Sequence, residues 1–272
     1  MQELEIPEED IVPLDAIAAG VLGLRVLFVN VFALTGPDGW TLVDAGLTGS
    51  APRIRRWAAT HFGQAAPQAI ILTHAHFDHV GALEALLAEW NVPVYVHRRE
   101  MPYVTGDESY PPPDPSVGGG LMARMAALYP RGPIDIGPVA MPLPSDGTVP
   151  NLPGWRWLHT PGHTDGHISL FRDMDRALVV GDAFCTTKQE SFLAVATQRP
   201  ELHGPPSYFT TNWDAARESV RQLAALQPAR LAPGHGQPMG GEDTTAALQL
   251  LAEQFDLRAR PAHGRYVDGA PH

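Results

Sequence analysis

Apolar residues along this chain fall into short runs that stop at glycine, proline and acidic turns, with stretches of helical spacing between them. Leu24 to Leu34 is rich in Val, Leu and Phe, stops at Gly36-Pro37-Asp38-Gly39 and resumes as Trp40-Thr41-Leu42-Val43-Asp44, the pattern of a β-hairpin that ends on a carboxylate. Pro52 to Phe62 reads as a helix opened at Ser50-Ala51-Pro52, and Gln68 to Thr73 as a short strand. Val80, Leu83, Leu86 and Leu87 share a helical face, which predicts a helix over Val80 to Trp90, followed by a strand over Val92 to Val96. Residues 101–130 are Pro- and Tyr-rich and carry Gly118-Gly119-Gly120 ahead of a short helix, Leu121 to Leu128. Such a segment reads as an insertion over one face rather than a linker. Strands are then expected at Trp155 to His159, His167 to Arg172, Ala177 to Val180 and Ala229 to Ala232, with helices at Asp214 to Leu226, capped by Asn212, and at Asp243 to Leu257. Two β-rich halves, each followed by a helix, suggest one pseudo-duplicated α/β domain spanning residues 1–272.

Composition narrows the function classes. With 30 acidic against 19 basic residues the formal charge is −11, and no Lys or Arg run is present that would track a phosphate backbone, so nucleic acid is a disfavoured partner. Cys185 is the only cysteine, which rules out an intrachain disulfide. Met1 to Asp10 carries five carboxylates and no basic residue, unlike a secretory leader, and the apolar stretch Ala16 to Leu34 is broken by Gly20, Gly23, Arg25 and Asn30. The expectation is a cytoplasmic protein with no membrane association, acting on a small molecule, with a homodimer as the commonest assembly for such a chain.

Thr73-His74-Ala75-His76-Phe77-Asp78-His79 places three imidazoles and a carboxylate within six residues, directly after a strand. Imidazole and carboxylate donors packed this densely suit zinc, with iron or manganese as alternatives. A loop of hydrogen-bonded histidines would be the plainer account, but further candidates recur in loops after strands: His163 in Pro161-Gly162-His163-Thr164, Asp182 after Gly181, and His235 in Pro233-Gly234-His235-Gly236. Loops of that kind are where a rigid sheet displays functional side chains.

As a set, His-x-His-x-Asp-His, Gly-His-Thr, Gly-Asp and Gly-His-Gly resemble the metallo-β-lactamase superfamily, over about residues 30–236 and in the family's order. The resemblance implies an α+β fold, a four-layer αββα sandwich with metals at one edge. It implies two zinc ions: His74, His76 and His163 on one, Asp78, His79 and His235 on the other, and Asp182 bridging. Two cations about 3.5 to 4 Å apart activate a shared water while polarising a carbonyl or phosphoryl oxygen, with Asp78 as the candidate for proton delivery. Asp44 resembles the family's supporting carboxylate, though a turn-capping role fits it equally. His159 and His167 match strand positions and are expected to pack or support ligands. His61, His97, His203, His263 and His272 lack motif context and are expected to be surface or structural residues.

The fold specifies hydrolysis better than it specifies the bond. β-Lactam hydrolases generally lack a bridging aspartate where Asp182 stands. Hydroxyacylglutathione hydrolases share the ligand set but add a basic helical region, and only 37 residues follow His235 here. Acyl-homoserine lactonases share the ligands and a phrase close to His159 to His167, yet place a tyrosine where this chain has Cys185. The expected activity is therefore metal-dependent hydrolysis of an ester, lactone or thioester. The alternatives are a mononuclear iron persulfide dioxygenase-like enzyme and a non-catalytic, metal-stabilised binding protein. Phe184, Phe192, Tyr208, Phe209, Trp213, Tyr103 and Tyr110 either form core or face the metals as an apolar pocket.

Overall fold

A computed structural model describes residues 6–267, so the expectation for His272 lies outside the described residues. The first sheet consists of β1 (Val21–Val26), β2 (Val29–Gly36), β3 (Gly39–Val43), β4 (Ala69–Ile71), β5 (Val94–Val96) and β6 (Ala140–Pro142), in that spatial order. Its pairs β1/β2 and β2/β3 are antiparallel, and the other three are parallel. The second sheet holds β7 (Trp155–His159), β8 (Ile168–Arg172), β9 (Ala177–Gly181) and β10 (Arg230–Pro233), in the order β10-β9-β8-β7, with β10 parallel to β9 and the rest antiparallel.

Alternation along the strands decides which residues meet. Phe32, Leu34, Val43 and Ile71 of the first sheet pack against Ile168, Leu170, Val179 and Ala232 of the second in one buried layer. Their sequence neighbours point the other way, because successive strand side chains alternate faces. Val31, Ala33, Leu42 and Ile70 face α1 (Ala51–Phe62) and α3 (Leu83–Trp90), with α2 (Phe77–Val80) between those helices in sequence. Segments α4 (Met101–Val104) and α5 (Leu121–Met125) lie between β5 and β6, and α6 (Phe192–Thr197) follows β9. On the far side, Phe171, Leu178, Val180 and Leu231 pack on α7 (Trp213–Ala225) and α8 (Glu242–Glu253), and α9 (Phe255–Arg258) ends the helical series. Asn212 caps α7, its Oδ1 accepting from the Ala215 N–H at 3.0 Å. The four-layer αββα arrangement agrees with the expectation from the sequence.

Local differences have physical causes. The apolar run Leu24 to Leu34 is two strands, not one, joined by a turn at Leu27-Phe28 in which Leu27 takes φ 57°. Glycine usually fills such a position, so the sequence carries no turn signal there. The helix expected over Val80 to Trp90 begins earlier, at Phe77, and breaks at Gly81-Ala82. Gly81 donates to the Gly46 carbonyl at 2.8 Å, and a Cβ there would lie 2.3 Å from the Thr48 nitrogen, so this contact holds the chain out of one continuous helix. The final expected helix is likewise divided at Gln254. Strand β6 carried no recognisable pattern, being three residues long and half-exposed. Among the described residues no helix is long and apolar enough to cross a membrane.

Candidate metal centre

Strands β3, β4, β7, β9 and β10 all end at one edge of the sandwich, and the candidate residues follow directly: Asp44 after β3, His74 after β4, His163 after β7, Asp182 after β9 and His235 after β10. The start of α2 adds Asp78 and His79. All seven expected residues converge there, and all are buried. Donor atoms of His74, His76 and His163 lie within 4.8 Å of one another, as do those of Asp78, His79 and His235. Asp182 sits between the two groups. Its Oδ2 is 3.5 Å from His163 Nε2 and 3.1 Å from His235 Nε2, while Oδ1 is 3.5 Å from His79 Nε2. Gly234 makes this possible, because a Cβ at that position would come within 2.3 Å of Asp182 Oδ1.

Four of the imidazoles are aimed by a bond at the opposite ring nitrogen. His79 Nδ1 donates to Asp44 Oδ2 at 2.8 Å, and His235 Nδ1 donates to the Phe28 carbonyl at 2.8 Å. The Thr73 hydroxyl donates to Asp44 Oδ2 at 2.8 Å, which leaves its oxygen to accept from His74 Nδ1 at 3.1 Å. Thr210 Oγ1 stands 3.4 Å from His163 Nδ1 and itself donates to the Pro206 carbonyl. Each Nδ1–H is thereby occupied and each Nε2 faces inward, which is how supporting contacts fix a metal-binding tautomer. His76 presents Nδ1 instead, 2.9 Å from His163 Nε2.

Asp44 resolves in favour of support rather than turn capping alone: besides His79 it accepts from the Thr73 backbone N–H at 2.8 Å, and it holds φ 61° to do so. His167 also supports the site. Its Nε2 accepts the Asp182 backbone N–H at 2.8 Å, while Nδ1 bonds Thr160 Oγ1 at 2.9 Å. His159 stacks on His97 at a centroid distance of 4.4 Å and bonds the Asp165 carbonyl, a packing role for both.

Glu100 carried no signal in the sequence and is fully buried. It accepts from the Ala75 and Gly166 backbone N–H groups, the Thr164 hydroxyl and the Tyr110 hydroxyl. A single carboxylate thus ties the loop carrying His74 and His76 to the loop carrying His163. Only the tertiary structure brings these segments together, and nothing in His97-Arg98-Arg99-Glu100 marks the last residue.

Burial lowers the pKa of His74, His76 and His163, His163 to about 4, with the neighbouring imidazoles adding to the effect at His74 and His76. These rings are therefore neutral and able to donate lone pairs. Burial opposes charge on His79 and His235 too, but Asp182 with Asp44 and Asp78 at His79, and Asp182 with Asp78 at His235, outweighs it and raises both. Burial works against an ionised Asp182, yet His235 and His79 pull its pKa well down; Asp78, more weakly compensated, is raised by burial. His74 Nε2, His79 Nε2 and Asp182 Oδ1 are buried without a hydrogen-bond partner. Buried polar atoms without a hydrogen bond cost free energy, the His79 and Asp182 atoms face each other only at 3.5 Å, and a cation among the three would take up their lone pairs, so the residues present fit a metal.

A narrow pocket opens onto Asp78, Asp182 and His235, walled by Phe28, Phe77, Met122, Tyr129, Tyr208 and Phe209. Tyr208, Phe209 and Tyr129 therefore belong to the wall, together with Met122 from α5, whereas Phe184 and Trp213 are core, Tyr110 binds Glu100 and Tyr103 stacks on Tyr110. Phe192, expected either in the core or at the pocket, is exposed on α6. Cys185 is fully buried, its thiol pushed well up by burial and by nearby acids. A broader depression at the opposite end of β9 and β10, bordered by Arg176, Arg230 and Glu242, has no comparable donor cluster among the described residues.

The metallo-beta-lactamase superfamily model matches residues 24–235, a span that includes all seven converging residues. The chain is 50% identical to the probable metallo-hydrolase YflN of Bacillus subtilis (strain 168), over 88% of this chain and 92% of that one. Among solved structures, TTHA1623 in a di-iron-bound form aligns with a TM-score of 0.55 and 27% identity, covering 85% of this chain and 96% of that one. The BLEG-1 B3 metallo-beta-lactamase aligns with a TM-score of 0.59 and 21% identity, over 92% and 99% of the two chains; at that identity the likeness concerns the fold.

Proposed function

Since this chain belongs to the metallo-beta-lactamase superfamily, we propose that it is a binuclear, zinc-dependent hydrolase of an ester, lactone or thioester, acting in the cytoplasm. In this reading His74, His76 and His163 hold one metal, Asp78, His79 and His235 the other, and Asp182 contacts both. The observation that carries it is the set of inward-facing nitrogens whose opposite ring nitrogens are already bonded, with His74 Nε2, His79 Nε2 and Asp182 Oδ1 making no hydrogen bond. When bound, the metals supply an activated water and polarise the substrate carbonyl.

The chain's own residues do the rest. Asp44, Thr73, Thr210 and the Phe28 carbonyl orient the rings. His79 and His235, whose pKa values Asp182 and Asp78 raise, must be neutral to give a lone pair to a metal, so loading is favoured by rising pH. Asp78, buried beside His235 Nε2 at 3.4 Å, passes a proton to the leaving group in this reading. The aromatic wall excludes water and suits an uncharged acyl or ring-shaped substrate.

Iron is a second reading of the metal, supported by the di-iron form of TTHA1623. Elemental analysis of protein purified without added metal separates the two. The activity test is a panel of a γ-lactone, an acyl thioester, an aryl ester and a phosphodiester, run on metal-loaded chain and on Asp182→Ala. We expect one of the three carbonyl substrates to dominate, and Asp182→Ala to lose both activity and bound metal. A variant that keeps two metals and full activity would remove Asp182 from the centre. Iron at one atom per chain, with oxygen consumed, would replace the hydrolase reading by a dioxygenase.

A further inference from the structure

Two residues of the pocket wall outside the proposed ligand set carry a side-chain hydroxyl, Tyr129 and Tyr208. They differ in what that hydroxyl does. The Tyr129 hydroxyl donates to Met122 Sδ at 3.7 Å, within the wall itself. The Tyr208 hydroxyl makes no hydrogen bond among the described residues, although its ring is 95% buried at a relative exposure of 5%. A fully buried phenol normally finds a partner; the Tyr208 oxygen is not among the sealed polar atoms that lack one, so it stays open to solvent on a residue that borders the same pocket as Asp78, Asp182 and His235.

The ring has little freedom to turn away. It packs on Phe209 at 5.1 Å and on Tyr129 at 6.2 Å between centroids. Its carbonyl accepts from the Asp114 N–H at 2.8 Å, and the preceding Ser207 N–H donates to Glu190 Oε1 at 2.9 Å. Burial, with the charges of Glu190 and Asp78, pushes the phenol well up, so the O–H stays a donor through the neutral range. Cys185, by contrast, is not part of the pocket wall and is fully buried.

We propose that Tyr208 is a catalytic hydrogen-bond donor to the carbonyl oxygen of the substrate, a role that rests on the hydrolase reading above. When water adds to the carbonyl carbon, the C=O π pair moves onto the oxygen, and the Tyr208 O–H donates to the growing negative charge without giving up its proton. Collapse restores the carbonyl and breaks the bond to the leaving alkoxide or thiolate, which takes up the proton that the attacking water gave to Asp78, and returns the oxygen to a weaker acceptor. A donor aimed at charge that develops only in the transition state acts on kcat more than on KM.

The test is Tyr208→Phe, which keeps the ring and its packing, compared with wild type after metal content has been measured on both. Hydrolysis of the best panel substrate is followed together with calorimetric binding of an alkylphosphonate monoester, whose anionic oxygens imitate the tetrahedral oxyanion. We expect unchanged metal content, a KM within about 3-fold, a kcat lower by about 10² to 10³-fold, and phosphonate affinity weaker by at least about 10-fold. A Tyr208→Phe chain with wild-type kcat and phosphonate affinity overturns the assignment, as does one whose activity falls only in proportion to lost metal. A metal-loaded wild type that hydrolyses none of the panel overturns the hydrolase reading first, and this assignment with it; an active wild type beside an indifferent variant overturns this assignment alone.

Discussion

Around the donor cluster, nearly every ring is held by a hydrogen bond to a buried acceptor, as in His79 to Asp44 and His235 to the Phe28 carbonyl. The wall opposite is held by apolar contacts: Phe77, Met122, Tyr129, Tyr208 and Phe209 pack on one another with Val117, Ala123 and Ala126. Hydrogen bonds fix direction, and a cation needs its donors fixed to within a fraction of an ångström. Apolar packing fixes volume while tolerating exchange of side chains of similar size. The donor half is thus built to be invariant in geometry, and the wall, part of it supplied by residues 101–130, is where substrate preference can change without disturbing the donor cluster.

Glu100→Ala should have the largest effect. It leaves the Gly166 N–H and the Thr164 and Tyr110 hydroxyls without their acceptor, and the Ala75 N–H with Tyr110 Oη alone, so urea unfolding should register a loss of about 3 kcal/mol. Near-wild-type stability would mean the two ligand loops are held by something other than this carboxylate. Asp44→Ala comes next: with His79 unsupported, metal affinity measured against a chromophoric chelator should fall about 10 to 100-fold. An unchanged affinity would break the contrast on its donor side.

Met122→Ala tests the other side. It should raise KM about 10-fold for a long acyl chain, the order expected for lost apolar contact, while metal content stays constant; loss of metal here would erase the distinction. The smallest effect belongs outside both regions, at His97. Burial, then the charges of His159 and Arg99, lower its pKa to about 4 from an ordinary 6.5. The unfolded chain therefore takes up this proton first as pH falls, so the stabilisation present above about pH 6.5 is lost between there and about pH 4. In a Tm series over that window, His97→Gln should decline less steeply than wild type.

Most strands and helices were legible in the sequence from alternation and helical spacing, and the candidate donors from their place in loops after strands, whereas the four-layer αββα arrangement and the complete set of seven were legible through the resemblance those motifs carry. The histidine loop declared itself by local density alone. Glu100, Tyr110 and the division of labour between Tyr129 and Tyr208 did not, since each depends on residues distant along the chain meeting in space rather than on any local spacing. The Leu27-Phe28 turn was hidden for a related reason. Its left-handed Leu27 runs against local preference and is held by the contacts that bring Phe28 over His235 at 6.1 Å. Sequence determined what is periodic or clustered along the chain, and tertiary structure decided every contact that closes a long loop, because only the folded sheets bring such partners within hydrogen-bonding reach.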